Sequence, residues 1–329
     1  MQIHADTLDD LLKKLFQKLL KTNNRTNPTK GGNREEIATL LTIKDPRARF
    51  SRTERRSTLI SCLGETLWYF SGSDRLDFIE YYIPKYRTFS NIPEEATIAE
   101  GAYGPRLFGA NGSINQVDRI IRMLMQPRKH DTRQAVIQIF DKTDIGNRDV
   151  PCTSTLQFLA RGKKLHLMTT MRSNDAYRGL PPDVFAFTML QEFVARSIGH
   201  EIGNYYHSVG SLHLYDRDAA EARRYIDEGW QARIAMPAMP EGDPRPSIRW
   251  LLEVESAIRL GSTLALPAHE GIAPYWVDLA RLLLIKSMYS KGQLRGIVEE
   301  KRAMTSPVYN SFIRGKENTL TGRKHDHIN

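Results

Sequence analysis

The sequence predicts one domain of the mixed α/β (α+β) class, extending over residues 1–329. Segments with apolar residues three or four positions apart, typical of helices, alternate with short β-branched segments typical of strands. Neither a G-x-G-x-x-G motif nor a Walker loop is present, so the sequence does not indicate a phosphate-binding glycine turn. The length allows one large domain, and no repeat or low-complexity tract divides the chain.

The elements follow from apolar spacing and from the residues that interrupt it. Residues 7–22 repeat leucine on one helical face, and the polar stretch 22–33, which contains Pro28, predicts a loop. Residues 247–258 fit either a strand or a short helix, and the polar residues 316–329 predict a frayed tail. Helices are predicted at 7–22, 57–71, 115–125, 184–198, 216–229, 276–290 and 293–304. Strands are predicted at 37–43, 135–140, 156–160, 164–171 and 205–214.

Composition and charge limit the class of protein. No apolar run approaches the roughly 18 residues that cross a bilayer, and the N-terminus lacks the pattern of a signal peptide. The two cysteines, Cys62 and Cys152, form no disulfide framework, so a reducing cytoplasm is expected. The net charge of +9 suits nucleic acid or phosphorylated small molecules. Apart from clusters at 47–56 and 323–324, basic residues are spread out, which favours a solvated surface over nucleic acid as the main partner.

Cys152 is the first candidate for covalent chemistry. It follows Pro151 at the end of an extended segment, where a side chain can face a cleft. A reactive thiolate needs a nearby cation, and Arg172 is the predicted source. The alternative for a free cysteine is burial as a small hydrophobe, which is our interpretation of Cys62.

Four positions carry groups that suit a ligand site. Arg172 and Ser173 place a guanidinium beside a hydroxyl, which fits a phosphate, although a surface salt bridge fits equally. Asp183 precedes an apolar helix and is either its N-cap or a carboxylate that contacts a ligand. Glu65 lies on an apolar helix face beside Trp68, so it is either a buried acid for proton transfer or an exposed surface residue.

His213 and Tyr215 alternate on a predicted strand and therefore point to the same side, where they would bind a sugar hydroxyl. His207 and His213 have no zinc-binding spacing with a cysteine. We therefore predict no metal site.

Taken in order, these motifs resemble the thymidylate synthase family over residues 57–216. The matching motifs are Glu65-x-x-Trp68-x-x-x-Gly72, Tyr103-Gly104, Asp131-Thr132-Arg133, Pro151-Cys152, Gln157-Phe158, Arg172-Ser173-x-Asp175, Gly179-Leu180-Pro181, Gly210 and His213-x-Tyr215. The resemblance implies a thymidylate-synthase-like fold, in which helices flank a large mixed β-sheet and a homodimer forms through the sheet. It also implies a pyrimidine nucleoside monophosphate as substrate and 5,10-methylenetetrahydrofolate as cosubstrate, without a metal.

The resemblance further implies a catalytic role for four positions. Cys152 adds to C6 of the base, which turns C5 into a carbon nucleophile that attacks an activated one-carbon unit. Glu65 organises water and moves protons at the base, and Tyr103 assists proton removal. Asp175 contacts the folate pterin and shares in catalysis. The implied folate site comprises Trp68, Asp175 and Gly179.

The same resemblance implies the residues that bind the nucleotide. Arg172 and Ser173 hold the phosphate, while Arg133 reaches the phosphate in the partner subunit. His213 and Tyr215 hold the sugar 3′-hydroxyl. The N-terminal phosphate arginine of the family has no clear counterpart; the candidates are Arg25, Lys30 and Arg34.

Departures from the family pattern indicate a branch. Asp183 stands where the family usually has an asparagine that pairs with O4 and N3 of uracil, and the cytidylate hydroxymethylase branch carries aspartate there. A carboxyl group accepts from the 4-amino group of cytosine and, when protonated, donates to N3. Thr153 and Pro182, in place of histidine and phenylalanine, suit the same branch, and Gln134 replaces a second phosphate arginine.

The end of the chain bears on the product. Residues 324–329 are polar, whereas the methylases end in an apolar tail that closes over folate. An open site favours addition of water, giving hydroxymethyl, over hydride, giving methyl. The sequence thus predicts a CMP or dCMP 5-hydroxymethylase; Ala176, beside Asp175, leaves the sugar undecided. The alternatives are a divergent thymidylate synthase that methylates dUMP and a non-catalytic, nucleic-acid-binding relative.

Overall fold

The computed structural model describes residues 1–28, 30–51, 58–109, 114–129, 131–262, 265–267 and 270–322. The strands in these ranges are β1 (Gln2–Ala5), β2 (Arg25–Thr26), β3 (Asn33–Ile43), β4 (Val136–Gln138), β5 (Thr153–Arg161), β6 (Lys164–Asp175) and β7 (Glu201–Tyr215). The helices are α1 (Leu8–Leu19), α2 (Leu59–Phe70), α3 (Leu76–Tyr82), α4 (Tyr86–Ser90), α5 (Tyr103–Phe108), α6 (Gln116–Leu124), α7 (Leu180–Ser197), α8 (Ala219–Asp227), α9 (Arg245–Arg259), α10 (Pro274–Ser290), α11 (Leu294–Arg302) and α12 (Asn310–Thr321). The predicted mixed α/β class is confirmed.

One mixed sheet organises the described chain. Its strand order is β1-β3-β7-β6-β5-β4, and β2 pairs with the end of β3. The predicted β5–β6 hairpin is antiparallel, whereas β6 and β7 run parallel because α7 forms the crossover between them. Parallel pairing brings the ends of β6 and β7 together, with Asp175 in register with His213.

Helices cover one face of this sheet. Residues of β5, β6 and β7 on that face are buried, including Phe158, Leu167 and Tyr205, and α7 packs against β6 and β7. The alternating residues on the opposite face are only half-buried, among them Leu159, Met168 and Tyr206. The two faces therefore differ in exposure, as strand alternation requires when one side packs on helices.

Helix α2 is held close to its neighbour by a glycine. A Cβ atom on Gly64 would lie 2.1 Å from the ring of Tyr82 in α3, so only glycine allows this approach. Tyr82 in turn donates a hydrogen bond to Glu255 in α9 at 2.8 Å. These contacts hold the helix that carries Glu65.

Helix α7 begins one turn earlier than predicted. Pro181 and Pro182 lie in its first turn, where the missing amide hydrogens have no helical partner to lose. The N-cap residue is Gly179, and the backbone N–H of Asp183 donates to the carbonyl of Gly179 at 3.1 Å. The N-cap interpretation of Asp183 is therefore wrong.

The C-terminal region is helical and packed. Residues 247–258 belong to α9, which resolves the choice between strand and helix. The frayed tail predicted at 316–329 is wrong for its first part, because Lys316 to Thr321 continue α12. Phe312 and Ile313 of this helix are buried in the core, and Lys301 of α11 pairs with Glu317 of α12 at 2.5 Å. Residues 323–329 lie outside the described ranges.

Two basic residues of the cluster at 47–56, Arg47 and Arg49, are not the solvated surface that was predicted. Arg49 is completely buried and pairs with Glu192, which also binds Arg47. Burial alone would raise the pKa of Glu192, but Arg49 and Arg47 outweigh it and hold the pKa below its usual value. Arg52, Arg55 and Arg56 lie outside the described ranges. Within the described chain, no helix combines the length and apolarity needed to cross a bilayer.

Candidate functional site

Cys152 lies directly before β5, beside an irregularity in the sheet. The pairing of β5 with β6 shifts register between Thr153 and Thr155, and such bulges re-aim side chains at the rim of a sheet. Burial raises the pKa of the Cys152 thiol, and the positive charge of Arg172 opposes that rise. The structure therefore places the predicted cation beside the predicted nucleophile.

Arg172 is anchored to the segment that carries the cysteine. Its Nε donates to the carbonyl of Pro151 at 3.0 Å and its Nη2 to the carbonyl of Val150 at 2.9 Å. Its backbone N–H donates to the carbonyl of Cys152 at 2.8 Å. Among the described residues, no carboxylate pairs with this guanidinium, so the salt-bridge alternative is not observed.

Glu65 is a half-buried acid in an aromatic environment. The hydroxyl of Tyr69 donates to its Oε1 at 2.9 Å. Burial raises the pKa of Glu65 to about 7, although the hydrogen bond from Tyr69 opposes the shift. The alternative of an exposed surface glutamate is wrong, and the pKa suits proton transfer near neutral pH.

Asp183 is a second acid with a raised pKa. Burial is the main cause of this rise in pKa, and the negative charge of Glu65 adds to it. The two carboxyl groups are therefore close enough to interact. The side-chain amide of Asn174 donates to Oδ2 of Asp183 at 2.7 Å, which partly opposes the rise. A carboxyl in this environment holds its proton to higher pH than an exposed aspartate does.

Three tyrosines surround these acids. The hydroxyl of Tyr103 accepts a hydrogen bond from the backbone N–H of Thr153 at 3.2 Å, next to Cys152. The ring centroids of Tyr69 and Tyr103 are 5.1 Å apart. Burial raises the pKa of Tyr69, Tyr86 and Tyr103, and the charges of Glu65, Cys152 or Asp183 add to each shift. The sequence prediction missed Tyr69 and Tyr86, although Tyr69 lies four positions after Glu65 on one helix face.

The ends of β6 and β7 bring three predicted residues together. The rings of His213 and Tyr215 are 4.9 Å apart, so the two side chains lie on the same side as predicted. Asp175 is next to both, and its Oδ1 accepts from the backbone N–H groups of Tyr177 and Arg178 at 2.8 and 3.0 Å. Burial lowers the pKa of His213, while Asp175 opposes this, so the imidazole is neutral near pH 7. Ser173, two residues before Asp175, is in register with Ser211.

The three candidates for the N-terminal phosphate residue have different charged neighbours. Arg25 is paired with Asp216 at 2.7 Å, and Nε of Arg34 lies 4.0 Å from the same carboxylate. The charge of Lys30, by contrast, lowers the pKa of Cys152, and it also acts on His213. Lys30 donates to the carbonyl of Phe89 and is the candidate whose charge reaches Cys152 and His213.

Asp149 and Arg133 differ in their distance from Cys152. Asp149, which was not predicted, accepts a hydrogen bond from the backbone of Gly101 at 2.9 Å, and burial raises its pKa. Its charge also raises the pKa of Cys152. Arg133 is exposed beside β4, and its backbone carbonyl accepts from the side chain of Gln157 at 3.0 Å. The structure thus leaves the guanidinium of Arg133 at the outer edge of the sheet.

Trp68 and Gly179, two of the predicted folate residues, lie in different surroundings. Trp68 is completely buried and packs edge-on against Tyr86 with ring centroids 5.3 Å apart, and its contact with a cosubstrate stays a prediction. An apolar helix turns this large side chain inward. Gly179 lies against Asn174 and Asp175: a Cβ atom there would be 3.1 Å from the amide nitrogen of Asn174. Glycine thus permits close packing of this loop.

A half-buried thiol beside an arginine, with two raised-pKa acids nearby, is typical of proteins that perform covalent chemistry on a small anionic molecule. A sequence profile of thymidylate synthases matches residues 9–240, which is more than half of the chain. The chain therefore belongs to the thymidylate synthase family.

Individual relatives are more distant. The chain is 30% identical to deoxyuridylate hydroxymethyltransferase of Delftia phage PhiW-14 over 189 residues, which are 53% of this chain and 50% of that protein. It is 37% identical to a putative thymidylate synthase of Methanocaldococcus jannaschii over 135 residues, 38% of this chain and 60% of that protein. Identity to thymidylate synthase of Bacillus subtilis subsp. natto is 33% over 128 residues, 38% of this chain and 46% of that protein. The chain spans about half the length of these curated relatives.

Proposed function

We propose that this protein transfers a one-carbon unit to C5 of CMP or dCMP and releases the 5-hydroxymethyl nucleotide. The observation that carries the proposal is the environment of Asp183, a carboxyl whose pKa is raised by burial and by Glu65. A protonated carboxyl offers one donor and one acceptor, which suits N3 and the 4-amino group of cytosine. Family membership supports one-carbon chemistry on a pyrimidine nucleotide.

Cys152 supplies the nucleophile in this proposal. The thiol loses its proton as the nucleotide binds, helped by Arg172, and a bond forms between Sγ and C6. The electron pair of the C5–C6 double bond moves to C5, which then bonds to the one-carbon unit. Loss of the C5 proton follows, with Glu65 and Tyr103 as the groups that accept and pass on protons. The bond between the one-carbon unit and the nitrogen of tetrahydrofolate then breaks, which leaves an exocyclic methylene at C5 and free tetrahydrofolate. Water adds to the methylene carbon, and cleavage of the C6–Sγ bond restores the C5–C6 double bond, frees Cys152 and gives the hydroxymethyl product.

The cosubstrate expected for the family is 5,10-methylenetetrahydrofolate, which supplies a one-carbon unit at the oxidation level of formaldehyde. Asp175 fits the donor groups of a pterin. One of its carboxylate oxygens holds the turn after β6, and the other makes no hydrogen bond to the part of the chain that the structure describes. Trp68, which is also predicted for this site, is completely buried beside Tyr86. Asp175 and the adjoining Gly179 are therefore the residues that we assign to this cosubstrate.

The phosphate is proposed to bind between Arg172, Ser173 and Lys30, with His213 and Tyr215 at the sugar 3′-hydroxyl. Lys30 is supported by its electrostatic effect on Cys152 and His213. Arg133 is proposed to act on the partner subunit of a homodimer formed through the sheet. The half-buried sheet face that contains Leu159, Met168 and Tyr206 supports that assembly.

One incubation tests the proposal. The protein is incubated with methylenetetrahydrofolate and, in turn, CMP, dCMP, UMP and dUMP, and the products are identified by mass spectrometry. Hydroxymethylation leaves tetrahydrofolate, whereas methylation oxidises the carrier to dihydrofolate. Cys152→Ala should abolish exchange of the C5 hydrogen with solvent, and Cys62→Ala, at the buried cysteine in α2, should preserve it. A product confined to uracil nucleotides would refute the cytosine assignment.

The second candidate is chemistry on a uracil nucleotide. The similarity to a protein named deoxyuridylate hydroxymethyltransferase favours dUMP as the substrate with the same hydroxymethyl outcome. The similarity to proteins named thymidylate synthase favours methylation of dUMP. The accepted base and the folate product together distinguish the three candidate reactions: hydroxymethylation of a cytosine nucleotide, hydroxymethylation of dUMP and methylation of dUMP.

A further inference from the structure

A buried chain of hydrogen bonds ends on Asp183. The amide nitrogen of Asn174 lies 2.7 Å from Oδ2 of Asp183, and Oδ1 of Asn174 lies 3.2 Å from Nε2 of His207. Nδ1 of His207 lies 2.7 Å from the hydroxyl of Tyr205. Asn174, His207 and Tyr205 are 4%, 1% and 0% exposed, so water does not compete for these groups. None of the three is among the residues predicted for the site.

The chain has a direction. Burial lowers the pKa of His207 to about 3, so its ring is neutral and carries one N–H. The Tyr205 hydroxyl donates to Nδ1, the proton on Nε2 is donated to Asn174, and the amide of Asn174 donates to the carboxyl. In each of these three hydrogen bonds, the donor lies on the side away from Asp183 and the acceptor on the side nearer to it. Oδ2 of Asp183 is therefore an acceptor, and a proton on this carboxyl resides on Oδ1.

The geometry points to Asn174, oriented by His207 and Tyr205, as a positioning residue that determines base specificity through Asp183. Cytosine presents an acceptor at N3 and a donor at position 4, whereas uracil presents the opposite order. A carboxyl whose proton has a fixed location matches only one of these orders, while a freely exchanging proton would match both. The inference rests on the proposed function, in which Oδ1 faces N3 and the base is cytosine.

Other ionisable groups also face Asp183. They are Glu65 and Tyr69 from α2, Tyr103 from α5, Cys152 before β5, Asp175 from β6 and Tyr205 from β7. Glu65 and Asp175 affect how strongly Asp183 holds its proton, but a hydrogen bond to one oxygen is required to select where the proton resides. Among the described residues, Asn174 supplies the side-chain hydrogen bond to this carboxyl.

Base discrimination tests the relay. His207→Phe keeps a ring of similar volume but leaves Asn174 free to rotate, whereas His207→Gln retains an amide donor. We expect the ratio of kcat/KM for cytosine and uracil nucleotides to fall by about tenfold or more in His207→Phe and to recover in His207→Gln. Melting temperatures show whether each variant folds, and Tyr205→Phe is the milder alternative. A folded His207→Phe or Tyr205→Phe protein with unchanged discrimination would overturn the inference.

A titration without substrate separates this inference from the proposed function. The carbonyl infrared band of protonated Asp183 is identified by its loss in Asp183→Asn. Because the Asn174 amide stabilises the ionised carboxyl, Asn174→Leu should make the band persist to higher pH than in the wild type. An unmoved titration refutes the relay. A wild-type preference for uracil, by contrast, refutes only the cytosine assignment, because loss of the relay would still reduce discrimination.

Discussion

Glu65 governs part of the pH dependence of this molecule. Burial raises its pKa from 4.5 to about 7, so between these values the folded protein holds a proton that the unfolded chain has released. Stability from this group is therefore present at low pH and is lost as the pH rises from about 4.5 through about 7. We predict that Glu65→Gln reduces the fall in melting temperature across this window and lowers kcat by about 100-fold or more.

The measurement is calorimetry at several pH values together with the pH profile of kcat. Glu253→Gln is the matched control, because Glu253 is an exposed glutamate on α9. The control should keep the wild-type pH dependence and activity. A Glu65→Gln protein with the wild-type stability profile would show that Glu65 is ionised throughout the range.

Single residues of the site were predictable only where a motif carried them. Cys152, Arg172 and Glu65 belong to local patterns. The structure places Arg172 beside Cys152, and the charge of Asp183 acts on Cys152 while that of Glu65 acts on Asp183. Asn174 and Asp149 were missed because their importance comes from contacts with distant segments, which no local spacing reveals. Trp68 does belong to a motif, but the complete burial of its indole in the core could not be read from that motif.

At the scale of elements, close approach of β7 to β6 positions Arg172. A Cβ atom on Gly210 would lie 2.8 Å from the carbonyl oxygen of Arg172, so a side chain there must push the strands apart. We predict that Gly210→Ala raises KM for the nucleotide more than it lowers kcat, because it displaces the proposed phosphate residue. Steady-state kinetics give the split.

Gly315→Ala is the control for this substitution. Gly315 lies in α12 with open space around its Cα, and alanine favours a helix over glycine by about 0.5–1 kcal/mol. The control should leave KM unchanged and stabilise the protein slightly. If Gly210→Ala has the same KM as the control, the strand contact does not position Arg172.

Element types were predictable, but their ends were less so. Apolar periodicity identified α1, α2 and the β5–β6 hairpin. The start of α7 was placed too late because Pro181 and Pro182 read as interruptions, whereas prolines are tolerated in a first turn. Residues near 316 appeared too polar to pack, but α12 needs only a narrow apolar stripe around Phe312 to remain attached.

At the scale of the whole molecule, the core extends beyond the family match. The profile ends at residue 240, yet α10 is almost entirely buried. Tyr275 donates to the sulfur of Met189 in α7 at 3.5 Å, and Phe312 packs edge-on against Phe50. Each large side chain lost from such a core removes about 1.5–3 kcal/mol. We predict that a chain cut after residue 240 does not unfold cooperatively, whereas one cut after residue 322 does.

Differential scanning calorimetry and the near-UV circular dichroism spectrum provide the measurement. The longer truncation should show a single sharp transition and a native aromatic spectrum, and the shorter one should show neither. A sharp transition in the protein of 240 residues would mean that α9 to α12 form a separate unit.

The proposed homodimer can be tested by mixing two inactive variants and measuring whether activity returns. If Arg133 reaches the partner's phosphate, Cys152→Ala and Arg133→Ala proteins each lack one component of every site. In a mixed dimer, one site receives Cys152 from one subunit and Arg133 from the other, so it is complete. Random exchange makes half of the dimers mixed, and the mixture should recover about a quarter of wild-type activity.

The same face of the sheet supplies the control. Tyr206→Arg places a charge on the half-buried face and should convert the proposed dimer to a monomer in sedimentation velocity, because a buried unpaired charge is costly at an interface. Activity recovery should then disappear when both parental variants also carry Tyr206→Arg. A wild-type protein that sediments as a monomer, or a mixture no more active than its parents, would require Arg133 to act outside the phosphate site.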